Sequence, residues 1–306
     1  MHVRRTLKPV GRGFFVAGAV AAVAVAAVWG VNQLRDASST PNAEVPSASP
    51  SASPSPSTSA PAAATRARIV ASPQPVPILV YHHVTASRGG DQLLYVSRAQ
   101  FAAELAYLKR YDYQAVTLRA VYDAWTGEGS LPEHPIVISF DDGYADQVRA
   151  AAPLLRRYGW PAEIALVFDL LYKGTPAPPS CLTPALVERL LDDGWEIESH
   201  TVSHRDLTQL SDADLRHELE YSRKRLRQIF DVPIDFLCYP GGSYDARVKG
   251  AAREAGYLAA TSTDFAAATP SQLFALPRIY CYWGESLAVF GERLHATLAA
   301  ARSAGG

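Results

Sequence analysis

From residue 76 onward, short apolar runs alternate with segments that have helical periodicity. Roughly seven or eight such strand–helix units follow one another in about 225 residues. This order predicts a parallel sheet covered by helices, since parallel strands need a crossover connection that is usually a helix. The number of units favours a distorted (β/α) barrel with about seven parallel strands over an open sheet. We therefore predict an α/β fold of this kind for residues 76–306.

Acidic and imidazole side chains directly follow two of the predicted strands. One strand leads into the pair Asp141-Asp142, and another leads into His200 and His204, which are four residues apart. In a barrel or an open sheet, the carboxyl ends of parallel strands meet at one edge, so these side chains should lie together. Two imidazoles and one carboxylate leave an open position on a metal ion, as in catalytic zinc sites, and a second carboxylate can accept a proton from water. The pattern predicts a metal-dependent hydrolase.

A long hydrophobic segment precedes the predicted domain. Residues 14–31 contain no charged or polar side chain, and basic residues stand just before them. At 1.5 Å per residue this segment would span roughly 27 Å, close to the hydrocarbon thickness of a bilayer. We predict that residues 1–36 form a cytoplasmic tail and an uncleaved membrane anchor, with a cleaved signal peptide as the alternative.

A segment without the composition of a core follows. Residues 47–61 contain only serine, proline, alanine and one threonine. Such a composition buries too little apolar surface to offset the entropy of ordering, so we predict a disordered linker over residues 37–75. The expected location is the cell membrane with an extracytoplasmic domain, or the exterior if the N-terminal segment is cleaved.

Composition bears on partners and on disulfides. The formal net charge is −1, from 29 basic and 30 acidic side chains, so there is no cationic surplus that would favour nucleic-acid binding. Three cysteines, Cys181, Cys238 and Cys281, lie in the predicted domain. An oxidising location permits one disulfide with one thiol left over, and the sequence does not choose the pair. The oligomeric state is not indicated.

The motifs resemble those of a known family. Residues 139–143 and 199–204 are similar to the first and second motifs of the polysaccharide deacetylases, the carbohydrate esterase family 4 with its NodB-like homology domain. Residues 237–242 resemble a variant of the third motif, and residues 79–84 match the opening strand of one exported branch. The resemblance covers residues 76–282. It implies a distorted barrel and metal-dependent removal of acetyl groups from a carbohydrate.

The resemblance also assigns roles, residue by residue. Asp141 would be the base that takes a proton from water. The ligands of the divalent metal, most consistent with Zn²⁺, would be Asp142, His200 and His204. A backbone N–H between Tyr239 and Gly242 would help to stabilise the oxyanion, and Gly241 would let the backbone approach the substrate closely.

Two departures from the family pattern affect the proton chemistry. The third motif usually begins with an arginine that orients the catalytic aspartate, and Cys238 stands in its place. Arg278, on a later strand, is a candidate to supply this charge, with a surface arginine as the alternative. The late leucine–histidine motif that provides the general acid is missing in recognisable form, because Leu294-His295 lies in a predicted amphipathic helix. His82, at the end of the first strand, is the better-placed candidate acid, with a structural histidine as the alternative.

The expected function is removal of N-acetyl groups from a cell-surface polysaccharide that contains N-acetylglucosamine, such as peptidoglycan, a chitin-like polymer or poly-N-acetylglucosamine. An esterase that removes O-acetyl groups from xylan is an alternative, since amide and ester hydrolysis share a tetrahedral intermediate. A non-catalytic carbohydrate-binding protein on the same fold is another, because of the missing arginine and late histidine.

Overall fold

The structure is a computed structural model that describes residues 74–172 and 181–304. The predicted membrane segment lies outside these ranges, and so does the predicted linker apart from residues 74 and 75. Within the two described ranges, no helix combines the length and the apolar character that a membrane crossing requires.

The described residues form a curled parallel sheet. In chain order its strands are β1 (Ile78–Tyr81), β4 (Gln114–Ala115), β5 (Pro135–Phe140), β6 (Glu163–Leu166), β7 (Glu196–Ser199), β8 (Phe236–Cys238), β9 (Ala259–Thr261) and β10 (Ile279–Tyr280). Seven of them pair in the order β10-β1-β5-β6-β7-β8-β9, and β4 pairs with β5. Strands β2 (His83–Thr85) and β3 (Tyr95–Ser97) form a separate parallel pair. The predicted α/β fold with about seven parallel strands is confirmed.

Helices connect most of these strands. In chain order they are α1 (Arg98–Arg110), α2 (Leu118–Thr126), α3 (Ala152–Arg156), α4 (Phe168–Tyr172), α5 (Pro184–Asp192), α6 (Asp212–Arg216), α7 (Ser222–Phe230), α8 (Ala246–Glu254) and α9 (Leu287–Ala304). Ser97 caps α1 by accepting a hydrogen bond from the backbone of Gln100. Two π-helical turns depart from the predicted regular helices: Gln147–Ala151 precedes α3, and His217–Tyr221 joins α6 to α7.

The sheet does not close completely into the predicted barrel. Between β9 and the segment that leads into β10, the described residues form one isolated parallel bridge, Thr261 to Leu276. The last strand of the sheet covers only two residues, Ile279–Tyr280. The physical reason lies in Pro277, which has no N–H to continue the ladder, and in Arg278, whose N–H donates to Asp264 O at 2.8 Å.

Along β1, β5, β8 and β9, neighbouring residues belong to two different apolar clusters. On one face of the sheet, residues such as Ile136 and Ile138 pack with the helical residues Phe101 and Leu105. On the other face, Val137 packs in a second cluster with α2 and the loops. This division follows from the alternation of side chains along a strand. On the second face, the positions that follow toward the carboxyl end of β5 are polar: Ser139 and Asp141.

All three cysteines are buried free thiols, so the disulfide that an oxidising location would permit is not formed. Each cysteine has different neighbours. Cys238 lies beside Arg278, with Sγ 3.3 Å from a guanidinium nitrogen. Cys281 contacts Tyr81 instead, and the backbone of Cys181 forms a bridge with Tyr144.

Gln147 joins the carboxyl ends of β1 and β5. Its side chain is buried, and Nε2 donates to His82 O at 2.9 Å and to Asp141 O at 2.7 Å. The π-helical turn delivers this amide to the two carbonyl groups. The turn therefore fixes the spacing between two residues that were predicted to act in the site.

Gln147→Leu should lower the free energy of unfolding by about 1–3 kcal/mol, because two buried carbonyl groups lose their donor. Urea unfolding measures this difference. Gln114→Leu is the control, since Gln114 is exposed on β4 and should change stability by less than about 0.5 kcal/mol. Equal unfolding midpoints for parent and Gln147→Leu would contradict the assigned role.

Candidate active site

A cleft of about 440 Å³ opens at the carboxyl ends of the strands. All eight site residues that the sequence analysis named line it: His82, Asp141, Asp142, His200, His204, Tyr239, Gly241 and Arg278. Seven of them follow the carboxyl ends of β1, β5, β7 and β8, and Arg278 immediately precedes β10. The parallel arrangement of the sheet brings them together, as this topology requires.

Asp142, His200 and His204 form a compact group. Asp142 Oδ1 lies 3.5 Å from Nε2 of His200 and 3.5 Å from Nε2 of His204. His200 Nδ1 lies 2.8 Å from the carbonyl oxygen of Cys238. A carbonyl oxygen only accepts, so Nδ1 carries the proton and Nε2 presents its lone pair toward Asp142. Burial lowers the pKa of His200, although the attraction of Asp141 opposes this, and the neutral form that binds metals is favoured.

These three side chains fit a divalent cation. Their ligand atoms lie within 4.8 Å of one another, and they include two imidazoles and one carboxylate. A second group, Asp141, His200 and Cys238, meets the same distance limit. It fits a metal poorly, because Asp141 is paired with Arg278 and burial raises the pKa of the Cys238 thiol. The structure therefore favours the first group as the metal centre.

Backbone strain concentrates at this group. Among the described residues other than glycine, five have positive φ, and three of these belong to the site: Asp142 at 69°, Thr201 at 67° and His204 at 60°. Left-handed conformations of this kind cost of the order of 1–3 kcal/mol each and persist where surrounding contacts hold them. The turns after β5 and β7 are thus held in shapes that bring the three candidate ligands close together.

Arg278 holds Asp141 through two hydrogen bonds of 2.8 Å, one to each carboxylate oxygen. Both side chains are buried. Burial alone would raise the pKa of Asp141, but the charge and the hydrogen bonds of Arg278 outweigh it and lower that pKa. The carboxylate therefore stays ionised at any working pH. Arg278 is the strand residue that the sequence offered as a substitute for the missing arginine, and the small side chain of Cys238 stands beside its guanidinium.

His82 lines the cleft and is buried. Its Nε2 is 3.8 Å from Asp141 Oδ2, and its ring stacks against Tyr280 with centroids 6.1 Å apart. Burial lowers the pKa of His82, against the attraction of Asp141 and Asp142. Its Nδ1 is buried, and none of the described residues bonds to it. A neutral imidazole in this place can take up a proton and pass it on. His295, the alternative in the sequence, is exposed on α9 and does not line the cleft.

The turn after β8 contributes backbone to the cleft. The N–H of Tyr239 donates to Thr261 O at 3.1 Å, and that of Gly242 donates to Tyr239 O at 2.8 Å. Pro240 has no N–H, so within residues 239–242 Gly241 is left as the donor for an oxyanion. The φ of Gly241 is +60°, and a Cβ on Gly242 would come within 2.0 Å of Thr263 Oγ1. The left-handed conformation therefore favours glycine at position 241, and at position 242 the lack of space requires it.

Two tyrosines of the cleft were not predicted as site residues. Tyr280 lines it beside His82, and burial raises its pKa to about 12. Tyr144 also lines it, and burial, together with the charge of Asp142 and a hydrogen bond to it, raises the pKa of Tyr144. The ring of His83 stacks on Tyr144 at 3.6 Å between centroids. The sequence signal was weak, because most tyrosines near strands pack in a core.

Comparison with known proteins identifies relatives. The sequence profile of the family described as polysaccharide deacetylase matches residues 128–260. The chain is 29% identical over 220 residues to "Putative polysaccharide deacetylase YxkH" of Bacillus subtilis (strain 168), across 72% of this chain and 76% of that protein. It is 25% identical over 194 residues to the poly-beta-1,6-N-acetyl-D-glucosamine N-deacetylase of Staphylococcus aureus (strain MRSA252), across 60% of this chain and 67% of that protein.

A solved structure has the same fold. The Streptococcus pyogenes deacetylase PplD in complex with acetate superposes with a TM-score of 0.67, over 74% of this chain and 99% of that one. The two sequences are 24% identical. The agreement therefore concerns the fold of the described residues.

Arg278→Met should change how stability depends on pH. In the parent, the folded-state pKa of Asp141 lies below its unfolded value, so its ionised form stabilises the fold above about pH 4 and this contribution is lost as the pH falls. Without the guanidinium, burial raises that pKa, and the contribution of Asp141 is instead lost as the pH rises. The parent's free energy of unfolding, measured with urea, should therefore exceed that of Arg278→Met by an amount that grows from about pH 3 to pH 7. This difference is the stability advantage of the parent.

The control for this prediction is the same substitution in an Asp141→Asn background. There the advantage should grow less with pH, because the Asp141 carboxyl is gone and the weaker attraction between Arg278 and Glu198 remains. A parent advantage that is independent of pH would show that Arg278 does not set the ionisation of Asp141.

Proposed function

Because the chain belongs to the polysaccharide deacetylase family, a family of hydrolases, we propose that it is a divalent-metal-dependent enzyme that removes N-acetyl groups from a polysaccharide containing N-acetylglucosamine. The observation that carries this proposal is the placement of Asp142 at 3.5 Å from both His200 and His204, with the buried Asp141 beside them. One acid, two imidazoles and a second, separately held acid match the needs of amide hydrolysis by water.

In this proposal Asp142, His200 and His204 hold the metal, and Zn²⁺ suits their nitrogen and oxygen atoms. A divalent cation bound there would increase the acidity of water and polarise the acetyl carbonyl group. The hydrogen bond from His200 to the Cys238 carbonyl keeps the imidazole in the tautomer that can ligate.

Asp141 would accept the proton of the attacking water. Its lowered pKa makes it a weak base, so the step depends on a water molecule that has been made more acidic. Arg278 contributes by fixing both carboxylate oxygens, so that the acid meets the water in a single orientation.

His82 would deliver a proton to the departing sugar amine. Its Nε2 lies 3.8 Å from Asp141 Oδ2, and both side chains line the cleft. A proton taken from water by Asp141 can therefore reach His82 over a short path. The backbone N–H of Gly241 would donate to the oxyanion formed on the acetyl carbon.

The substrate that we favour is a polymer of β-1,6-linked N-acetylglucosamine. The support is the Staphylococcus aureus relative, a poly-beta-1,6-N-acetyl-D-glucosamine N-deacetylase that matches 60% of this chain. Peptidoglycan and chitin-like polymers carry the same N-acetyl group and are the comparison substrates. We further propose that residues 14–31 anchor the protein in the cell membrane and that the domain from residue 76 acts outside the cytoplasm.

One observation bears on the non-catalytic alternative. That alternative rested partly on the arginine missing from the third motif. Arg278, in the segment just before β10, pairs its guanidinium with Asp141 instead. The remaining departure is the late histidine, for which His82 is the proposed substitute. The structure therefore gives more support to an enzyme than to a binding protein.

Asp141→Asn should retain zinc and lose acetate release by a factor of about 10²–10⁴, because an amide cannot take the proton. His200→Ala should lose zinc as well as activity. Zinc content after dialysis measures metal binding, and acetate release from β-1,6-linked N-acetylglucosamine oligomers measures activity. His295→Ala, an exposed histidine on α9, is the control and should keep both. Full activity in Asp141→Asn would show that another group is the base.

Removal of the metal with a chelator should stop acetate release from β-1,6-linked N-acetylglucosamine oligomers, and added Zn²⁺ should restore it. Chitooligosaccharide and acetylated xylan are tested in parallel. Release from xylan with none from the N-acetylated sugars would favour the O-acetyl esterase. Tight glycan binding without acetate release under any metal would favour the binding protein.

A further inference from the structure

Glu218 contacts the turn that carries the two histidines. It lies in the π-helical turn His217–Tyr221, and its side chain is buried. Glu218 Oε2 accepts hydrogen bonds from the backbone N–H groups of Val202 and Ser203, at 2.8 and 2.9 Å. Its Oε1 accepts a hydrogen bond from the Ser203 hydroxyl. One carboxylate thus binds three donors, all of them located between His200 and His204.

The turn needs such support because of its backbone conformation. Thr201 and His204 both have left-handed φ values, 67° and 60°, although neither is glycine. Inside the turn, the His204 N–H donates to Thr201 Oγ1 at 3.2 Å, which is a long hydrogen bond. The contacts inside the turn are therefore few compared with the strain of two left-handed residues.

The same π-helical turn also contacts the strand side of the site. The Ser222 hydroxyl, at the end of this turn, lies 2.6 Å from Glu218 O and 2.8 Å from Ser199 Oγ. Ser199 directly precedes His200 and accepts a hydrogen bond from the Thr201 N–H at 3.3 Å. A regular helix would place Glu218 and Ser222 differently, since a π-helical turn inserts one extra residue. The π-helical turn and Ser222 therefore hold both the start and the end of the turn after β7.

We propose that Glu218 is a positioning residue of the metal centre, which holds the strained turn 201–204 so that His200 and His204 face Asp142 together. The inference rests on the proposed function, because it takes these histidines as metal ligands. A carboxylate suits this task since it only accepts and offers two oxygens to three donors. Hydrogen-bonding partners behind metal ligands commonly contribute about 10- to 100-fold to metal affinity.

The test is the dissociation constant for Zn²⁺, measured by calorimetry on the metal-free full chain with zinc chloride alone. Glu218→Ala should weaken zinc binding about 10- to 100-fold. Glu218→Gln keeps the size and one acceptor, and should weaken it by a smaller factor. Glu220→Gln is the matched control: it removes the same charge from an exposed position of the same turn and should leave the constant within about twofold.

A purely structural role is separated by the thermal midpoint of the metal-free protein. If Glu218 only stabilised the fold, the midpoint would fall while the folded protein kept the parent zinc affinity, and the proposal would be overturned. Ser203→Ala, which removes one of the three donors, should weaken zinc binding modestly and keeps the test available if Glu218→Ala does not fold. Unchanged affinity in both Glu218→Gln and Ser203→Ala would also overturn the proposal.

The readout is independent of the proposed reaction. A parent that binds zinc but releases no acetate contradicts the proposed function and leaves the positioning role measurable. A parent that binds no zinc overturns the positioning role itself, since there would be no metal affinity for Glu218 to support.

Discussion

The buried ion pair between Arg278 and Asp141 is the interaction on which the site depends. Two charges taken out of water are costly, and removal of one partner leaves the other uncompensated. The two hydrogen bonds of 2.8 Å therefore constrain the segment before β10 and the end of β5 at once. Because β1 lies between these two strands in the sheet, the pair also fixes the position of His82 relative to Asp141.

The candidate metal-binding group of Asp142, His200 and His204 differs from this ion pair. Its backbone is strained, and hydrogen bonds from neighbouring residues hold it. Asp142, Thr201 and His204 have left-handed backbones, and their neighbours supply the compensating contacts. Two π-helical turns take part: the first carries Gln147 to the carbonyl groups of His82 and Asp141, and the second carries Glu218 to the turn after β7. The regular helices cover the sheet, whereas the two π-helical turns contact the strand ends that carry the site residues.

The sequence predicted the parallel α/β fold and eight residues of the cleft, because strand periodicity and strand-end positions are local signals. It left the role of Arg278 open, since only the folded sheet shows which strand end faces Asp141. The contact of Glu218 with the turn after β7 was not predicted, because nothing in a helical pattern indicates a π-helical turn. The interruption of the last strand was not predicted either, although Pro277 marked the place where a ladder cannot continue.

The charge of the cleft argues for a neutral substrate. Three carboxylates (Asp141, Asp142 and Asp169) and one guanidinium (Arg278) line it, which gives a formal charge of −2 with the histidines neutral. A divalent cation would compensate this charge, and a carbohydrate with N-acetyl groups adds none. The cleft would repel an anionic glycan before a divalent cation binds. With the cation bound, the formal charge of the cleft would be zero, so the cleft would not attract such a glycan. The charges also suit two separate acids in the proposed function: Asp141 is balanced by Arg278, so Asp142 is left to attract a cation.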